Sequence, residues 1–125
     1  MISLSEFGYE QTLKDPTKAF AKTWESKSFI NGPAVKEFEK QFATYCESES
    51  CVAVSSCTSA LHLSLLALGV GPGDEVITVP YTWVSTVEVV KQVGATPVFV
   101  DITLNDMCID PKEVAKKISK KTKAI

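Results

Sequence analysis

The stretch Cys51-Val52-Ala53-Val54-Ser55-Ser56-Cys57-Thr58-Ser59-Ala60-Leu61-His62-Leu63-Ser64-Leu65-Leu66-Ala67-Leu68 decides the fold. Its first five residues form a short apolar run of strand length. Residues 60–68 are apolar nearly all round, the mark of a largely buried helix. Small polar residues fill the junction, where a strand would turn directly into a helix. Downstream, Gly69 to Gly73 ends the helix and Glu75-Val76-Ile77-Thr78-Val79 predicts the next strand, which Pro80 stops. Thr82 to Val93 predicts a helix, with Gly94 suited to the left-handed position just past its end. Pro97-Val98-Phe99-Val100-Asp101 predicts a third strand. Asp110-Pro111 followed by Glu113 gives a side-chain cap, a proline at the first helical position and nearly a capping box. Thr122-Lys123-Ala124-Ile125 resembles the opening of a fourth strand. Strands alternating with helices predict βαβ units and a mainly parallel sheet, covered on both faces. Because the pattern breaks off in its fourth strand, the expected fold is an incomplete α/β layer.

Upstream, Asp15-Pro16 predicts a helix running to about Lys27, and Pro33 starts a second one. In the second helix Val35, Phe38, Phe42 and Tyr45 recur at helical spacing, which predicts one buried face. No internal repeat or linker-like run interrupts the chain.

At 125 residues and 13.6 kDa the chain fits one ordinary domain at most. Its 45% apolar and 22% charged residues match a globular chain and argue against a disordered tail or a coiled coil. A net charge of −2 offers no basic field, so neither nucleic acid nor an anionic membrane is an expected partner. All 13 cationic residues are lysine. Any anion must therefore be held by backbone N–H groups, hydroxyls or lysine, and not by a guanidinium fork. The apolar stretches fall short of the ~20 residues of a membrane span. The start, Met1-Ile2-Ser3-Leu4-Ser5-Glu6, lacks the basic and apolar regions of a signal peptide. Cys46, Cys51, Cys57 and Cys108 form no C-x-x-C pair and His62 is the sole histidine, so no metal site is expected. Reduced thiols in a cytoplasmic protein are the plain reading.

Residues 54–60, Val-Ser-Ser-Cys-Thr-Ser-Ala, place hydroxyls at the first turn of a buried helix. The unpaired N–H groups and the helix dipole there make a ready anion site. Thr58 and Ser59 could add hydrogen bonds to a phosphate, or one of them could simply cap the helix. Gly69-Val70-Gly71-Pro72-Gly73-Asp74 is not a dinucleotide fingerprint, because it follows a helix and precedes a strand. Trp83 begins a helix at the carboxyl end of a strand, where ligands gather in parallel sheets. It could stack on a flat cofactor ring or belong to a core or interface. His62 is read as a packed or half-exposed residue. Asp101 faces the ligand side of the third strand or orders its loop. Lys112, Lys116, Lys117, Lys120, Lys121 and Lys123 read as a solvated face.

Together these segments resemble the DegT/DnrJ/EryC/StrS family of sugar aminotransferases, pyridoxal-phosphate enzymes of fold type I. The resemblance spans about residues 29–125. Gly32-Pro33, Val35 and Phe38-Glu39 resemble "GPxVxxFE"; Ser55 to Leu63 resembles "SxxTxALHLAL"; Gly71 to Ile77 resembles "GPGDEVI". Thr82-Trp83-Val84-Ser85-Thr86 resembles "T(F/W)VAT", residues 97–102 and 109–111 follow in family order, and residues 122–125 resemble "TKAI".

The resemblance implies a partial fold-type-I large domain, with a leader and helix over residues 1–28 and the N-terminal part of the pyridoxal-phosphate domain over 29–125. It implies pyridoxal 5'-phosphate held by Thr58 and Ser59 at the helix N-terminus, with Cys57 beside the phosphate in place of a small residue and Trp83 on the ring. The family's ring-pairing aspartate and Schiff-base lysine are expected beyond Ile125, so no catalytic residue is assigned within this chain, and the isolated 125 residues are expected to be inactive and hard to keep soluble. The implied activity of the parent enzyme is amino transfer, with glutamate as donor, to a nucleotide-linked keto sugar in cell-surface polysaccharide or amino-sugar biosynthesis, by a cytoplasmic homodimer. Sugar dehydration is a variant within the family. The alternative is a non-catalytic truncated chain that binds a phosphate-bearing ligand or self-associates. An unrelated nucleotide-binding domain would need a glycine-rich strand-to-helix turn, which Ser55–Ser59 does not supply.

Overall fold

The structure, a computed structural model, describes residues 16–125. The Asp15 cap expected for the first helix lies outside the described residues. The backbone falls into two compact units, the first ending at Ala53 and the second comprising Val54–Ile125.

The first unit holds α1 (Pro16–Ser26) and α2 (Pro33–Tyr45). Both start on proline, whose missing N–H costs nothing at a helix start. The face of α2 expected to be buried is not. Phe38, Phe42 and Tyr45 are exposed and Val35 is half-buried, while Ala43 is the buried residue of the helix. A helical stripe buries only what a neighbour covers, and these rings instead cover one another in a ladder with centroids 5.6 and 6.2 Å apart. On α1, Trp24 packs between Phe20 and Phe29, at 5.9 and 5.8 Å.

Residues 51–55 do not form the expected strand. A strand exists by its ladder, and among the described residues no neighbouring strand pairs with this run. Val52 is exposed, and the Ala53 N–H donates to the Glu39 carboxylate at 2.8 Å.

In the second unit the elements are α3 (Cys57–Ala67), β1 (Glu75–Thr78), α4 (Ser85–Gln92), β2 (Thr96–Phe99), α5 (Pro111–Lys117) and β3 (Thr122–Ala124). The sheet has three strands in the order β2-β1-β3, and both pairings are parallel. This bears out the α/β reading, with one strand fewer than expected. Glu75 to Thr78 run in register with Thr96 to Phe99. On the other edge, Glu75 pairs with Thr122 and its N–H donates to Lys121 O at 2.8 Å. As the middle strand, β1 is buried on both faces: Val76, Ile77 and Thr78 are all buried. Leu65, Val70, Val76, Val89, Val90, Val93 and Ala95 make one continuous core, with Ala124 packed against it.

Helix α3 was expected to be largely buried. It packs on α4 through Leu65, but Leu61, Leu63, Leu66 and Leu68 are exposed, because α4 covers one side of it only. Helix α4 is shorter than the expected 82–93: Val84 is its cap, and Val87 and Glu88 donate back to Val84 O at 3.0 Å each. Trp83 therefore lies before the helix. At its other end Gly94 sits at φ 81°, as expected, and a Cβ there would meet Pro72 Cγ at 3.0 Å.

The β2–α5 connection is pinned by an antiparallel bridge between Ile102 and Ile109. Asp101 accepts from the Ile102 N–H at 2.8 Å, so its carboxylate orders this loop. The Thr103 hydroxyl and the Cys108 N–H both donate to Asp106, which holds that carboxyl below its ordinary pKa. Asp110 caps α5, accepting from Lys112 N at 2.8 Å, as the cap-plus-proline pattern requires. The lysines of this segment are exposed, and Lys116 pairs with Glu113 at 2.6 Å. All four cysteines are unpaired thiols.

Ile77 is among the largest fully buried side chains, at 1% exposure. Ile77→Ala is expected to cost about 2–5 kcal/mol in denaturant unfolding, through lost burial and a cavity. A cost under about 1 kcal/mol would show that the middle strand is not the centre of the core.

Candidate cofactor-phosphate site

The junction at the start of α3 is built from hydroxyls. Ser56, in extended conformation, is the cap: its Oγ accepts from the Ser59 N–H at 3.0 Å, and its carbonyl takes the Ala60 N–H at 3.0 Å. Capping therefore falls to Ser56, and neither Thr58 nor Ser59 does it. The spacing explains why, since a cap side chain reaches the N–H two or three residues on.

Ser59 sits at the centre of a hydroxyl chain, with its Oγ 2.9 Å from Ser56 Oγ and 3.3 Å from Ser55 Oγ. Cys57 and Thr58 are the first two helical residues. Their N–H groups have no acceptor within the helix. They point out of an 11-residue helix whose dipole makes this end positive. Cys57 is exposed, while Thr58 and Ser59 are half-buried.

The Thr58 hydroxyl donates to Ser85 Oγ at 2.9 Å. Ser85 is buried and is the first residue of α4. This bond ties the start of α3 to the start of α4. Trp83 lies two residues before Ser85, just beyond the carboxyl end of β1, and is 72% exposed. Its ring is thus no part of the core of this unit. His62 lies half-buried on α3, one turn beyond Thr58, and Asp101 is exposed in its loop.

The donor set suits a phosphate: two unpaired backbone N–H groups, a cluster of hydroxyls and a positive helix end, with no arginine in the chain. A flat exposed aromatic ring beyond the adjacent strand suits a cofactor ring. Among the described residues, no group of three or more His, Cys, Asp or Glu could hold a metal ion. The grooves along α1 and α2 are open, and side chains there such as Glu37 and Gln41 satisfy each other at 2.7 Å.

The family described as the DegT/DnrJ/EryC1/StrS aminotransferase family matches residues 11–125. The chain belongs to that family. It is 45% identical over 123 residues to the spore coat polysaccharide biosynthesis protein SpsC of Bacillus subtilis, covering 98% of this chain and 30% of SpsC. Among solved structures, DesV of S. venezuelae, in complex with a ketimine intermediate, superposes with a TM-score of 0.84 at 38% identity. That match covers 94% of this chain and 32% of DesV. NtdA of Bacillus subtilis, with bound cofactor PMP, gives 0.79 at 35% identity, over 85% of this chain and 24% of NtdA. The chain thus spans about a third or less of the length of these relatives, and over that span it has the expected fold-type-I architecture.

The structure puts the hydroxyl-rich turn of residues 54–60 at the start of α3, and two residues within and around it had not been singled out from the sequence. Ser56 was signalled by its spacing of three from Ser59. Ser85 carried no signal of its own, because its role depends on a contact 27 residues away.

Ser56→Ala is expected to destabilise the protein by about 1 kcal/mol, because the Ser59 N–H loses its acceptor; Ser56→Gly should cost only a few tenths. Thermal unfolding of both variants checks this. Equal stability of Ser56→Ala and the parent would remove Ser56 as the cap.

Proposed function

We propose that the protein carrying this chain is a pyridoxal-phosphate-dependent aminotransferase. Its substrate is a nucleotide-linked keto sugar, its amino donor is glutamate, and its product enters polysaccharide or amino-sugar biosynthesis. The observation that carries the proposal is the start of α3, where unpaired N–H groups and hydroxyls meet a phosphate's needs while Ser85 ties this turn to the helix following Trp83. Family membership and the biosynthetic role in the name of SpsC support the reaction class. By this reading residues 29–125 are the N-terminal part of the cofactor-binding large domain of a cytoplasmic homodimer.

Each residue then has a limited task. The Cys57 and Thr58 N–H groups and the Ser59 hydroxyl hold the phosphate, with Cys57 keeping the turn narrow. Trp83 covers one face of the ring and keeps water from it. Bound there, the cofactor supplies an electron sink for moving an amino group. Anchoring at one end and stacking along one face fix the ring plane, so reacting bonds stay aligned with it. The exposed leucines of α3 favour a second reading for the isolated chain, self-association through uncovered apolar surface.

The test uses the whole protein with pyridoxal phosphate, glutamate and nucleotide-linked keto sugars. Formation of 2-oxoglutarate, and of an amino sugar by mass spectrometry, is expected. Neither product forming across such sugars would overturn the reading. In the same protein Trp83→Ala should weaken cofactor retention by about tenfold while the melting temperature holds, as expected for loss of a stacked ring. Trp83→Phe should be mild. Equal losses of melting temperature in both variants, with cofactor affinity unchanged, would return Trp83 to a packing role.

A further inference from the structure

Thr78 and Ser85 are the buried polar residues of the described chain. A buried hydroxyl is costly unless it is hydrogen-bonded. Ser85 meets that demand with Thr58, in the one side-chain hydrogen bond between α3 and α4 among the described residues. A hydroxyl has one proton, and that of Thr58 is donated to Ser85.

We infer that Ser85 is a positioning residue that, by engaging the Thr58 hydroxyl, locks the phosphate-holding turn of α3 to the start of α4, two residues after Trp83. The inference rests on the function proposed above and deepens it. Thr58 serves the phosphate through its N–H, while its side chain serves Ser85. The phosphate is held at the start of α3 and the ring by Trp83 just ahead of the start of α4, and the relative placement of these two helix starts sets the tilt of the ring. A tie of 2.9 Å between those helix starts fixes that placement before the cofactor arrives.

The test measures pyridoxal-phosphate affinity of the whole apo protein by fluorescence titration, and the induced circular dichroism of the bound cofactor, which reports ring orientation. Ser85→Ala is expected to weaken binding about three- to tenfold, the range for one hydrogen bond, and to diminish the induced dichroism. Ser85→Thr should restore both. Adding Thr58→Val to Ser85→Ala should cost nothing further, because the two side chains act as one unit. Unchanged affinity and dichroism in Ser85→Ala, or additive losses in the double variant, would overturn the inference. Should Ser85→Ala fail to fold, Thr58→Val alone carries the test: a loss of the same size, restored by Thr58→Ser, supports the tie, and no loss overturns it. A parent protein that binds no pyridoxal phosphate overturns the proposed function and this inference together. Binding by the parent with no effect of either variant overturns this inference alone.

Discussion

Everything in the second unit hangs on β1. Its four residues pair in parallel with β2 along one edge, and Glu75 and Val76 pair in parallel with β3 along the other. Lying between two strands, it buries Val76, Ile77 and Thr78. The strand is also what delivers chemistry. Its carboxyl end feeds the loop that carries Trp83 and then α4, whose first residue engages Thr58. In parallel α/β layers the carboxyl ends of strands are where ligands collect. Here the start of α3 is tied to that end by the buried Ser85 hydroxyl, beside the packing of Leu65 on α4.

What the sequence made legible was local. Proline at the starts of α1, α2 and α5, Asp110 as a cap and Gly94 at the end of α4 all act within a few residues of themselves. Their physics needs no knowledge of the rest of the chain. What it did not reveal depended on partners. The run 51–55 has strand composition, but composition cannot supply a neighbouring edge. The stripe Val35, Phe38, Phe42 and Tyr45 has core periodicity, but periodicity cannot supply a surface to cover it. The site divides along the same line. The hydroxyl-rich turn was readable from residues 54–60, whereas the Thr58–Ser85 bond joins residues far apart in sequence.

These 125 residues contain no arginine. A guanidinium would bring its charge on a long, flexible stem. A helix start instead offers N–H groups whose directions are set by the backbone. Precision then depends on holding the turn itself still. The Ser56 cap, the Ser55–Ser59–Ser56 hydroxyl chain and the tie to Ser85 all bear on that one turn.

The chain contains two tryptophans, and the structure places one in each compact unit. Trp24, itself largely exposed, touches Phe20 and Phe29, and Trp83 stands largely in solvent ahead of α4. The emission of this segment is therefore the sum of two largely exposed reporters, of which Trp24 is the one packed against aromatic rings. Trp24 reads the aromatic packing of the first unit, and Trp83 reads the hydration of the loop beyond β1. With Trp83 changed to phenylalanine, the emission from this segment belongs to the first unit alone, and the difference from the parent isolates the second. The placement of two indoles thus lets the two units be followed separately by light, without any added label.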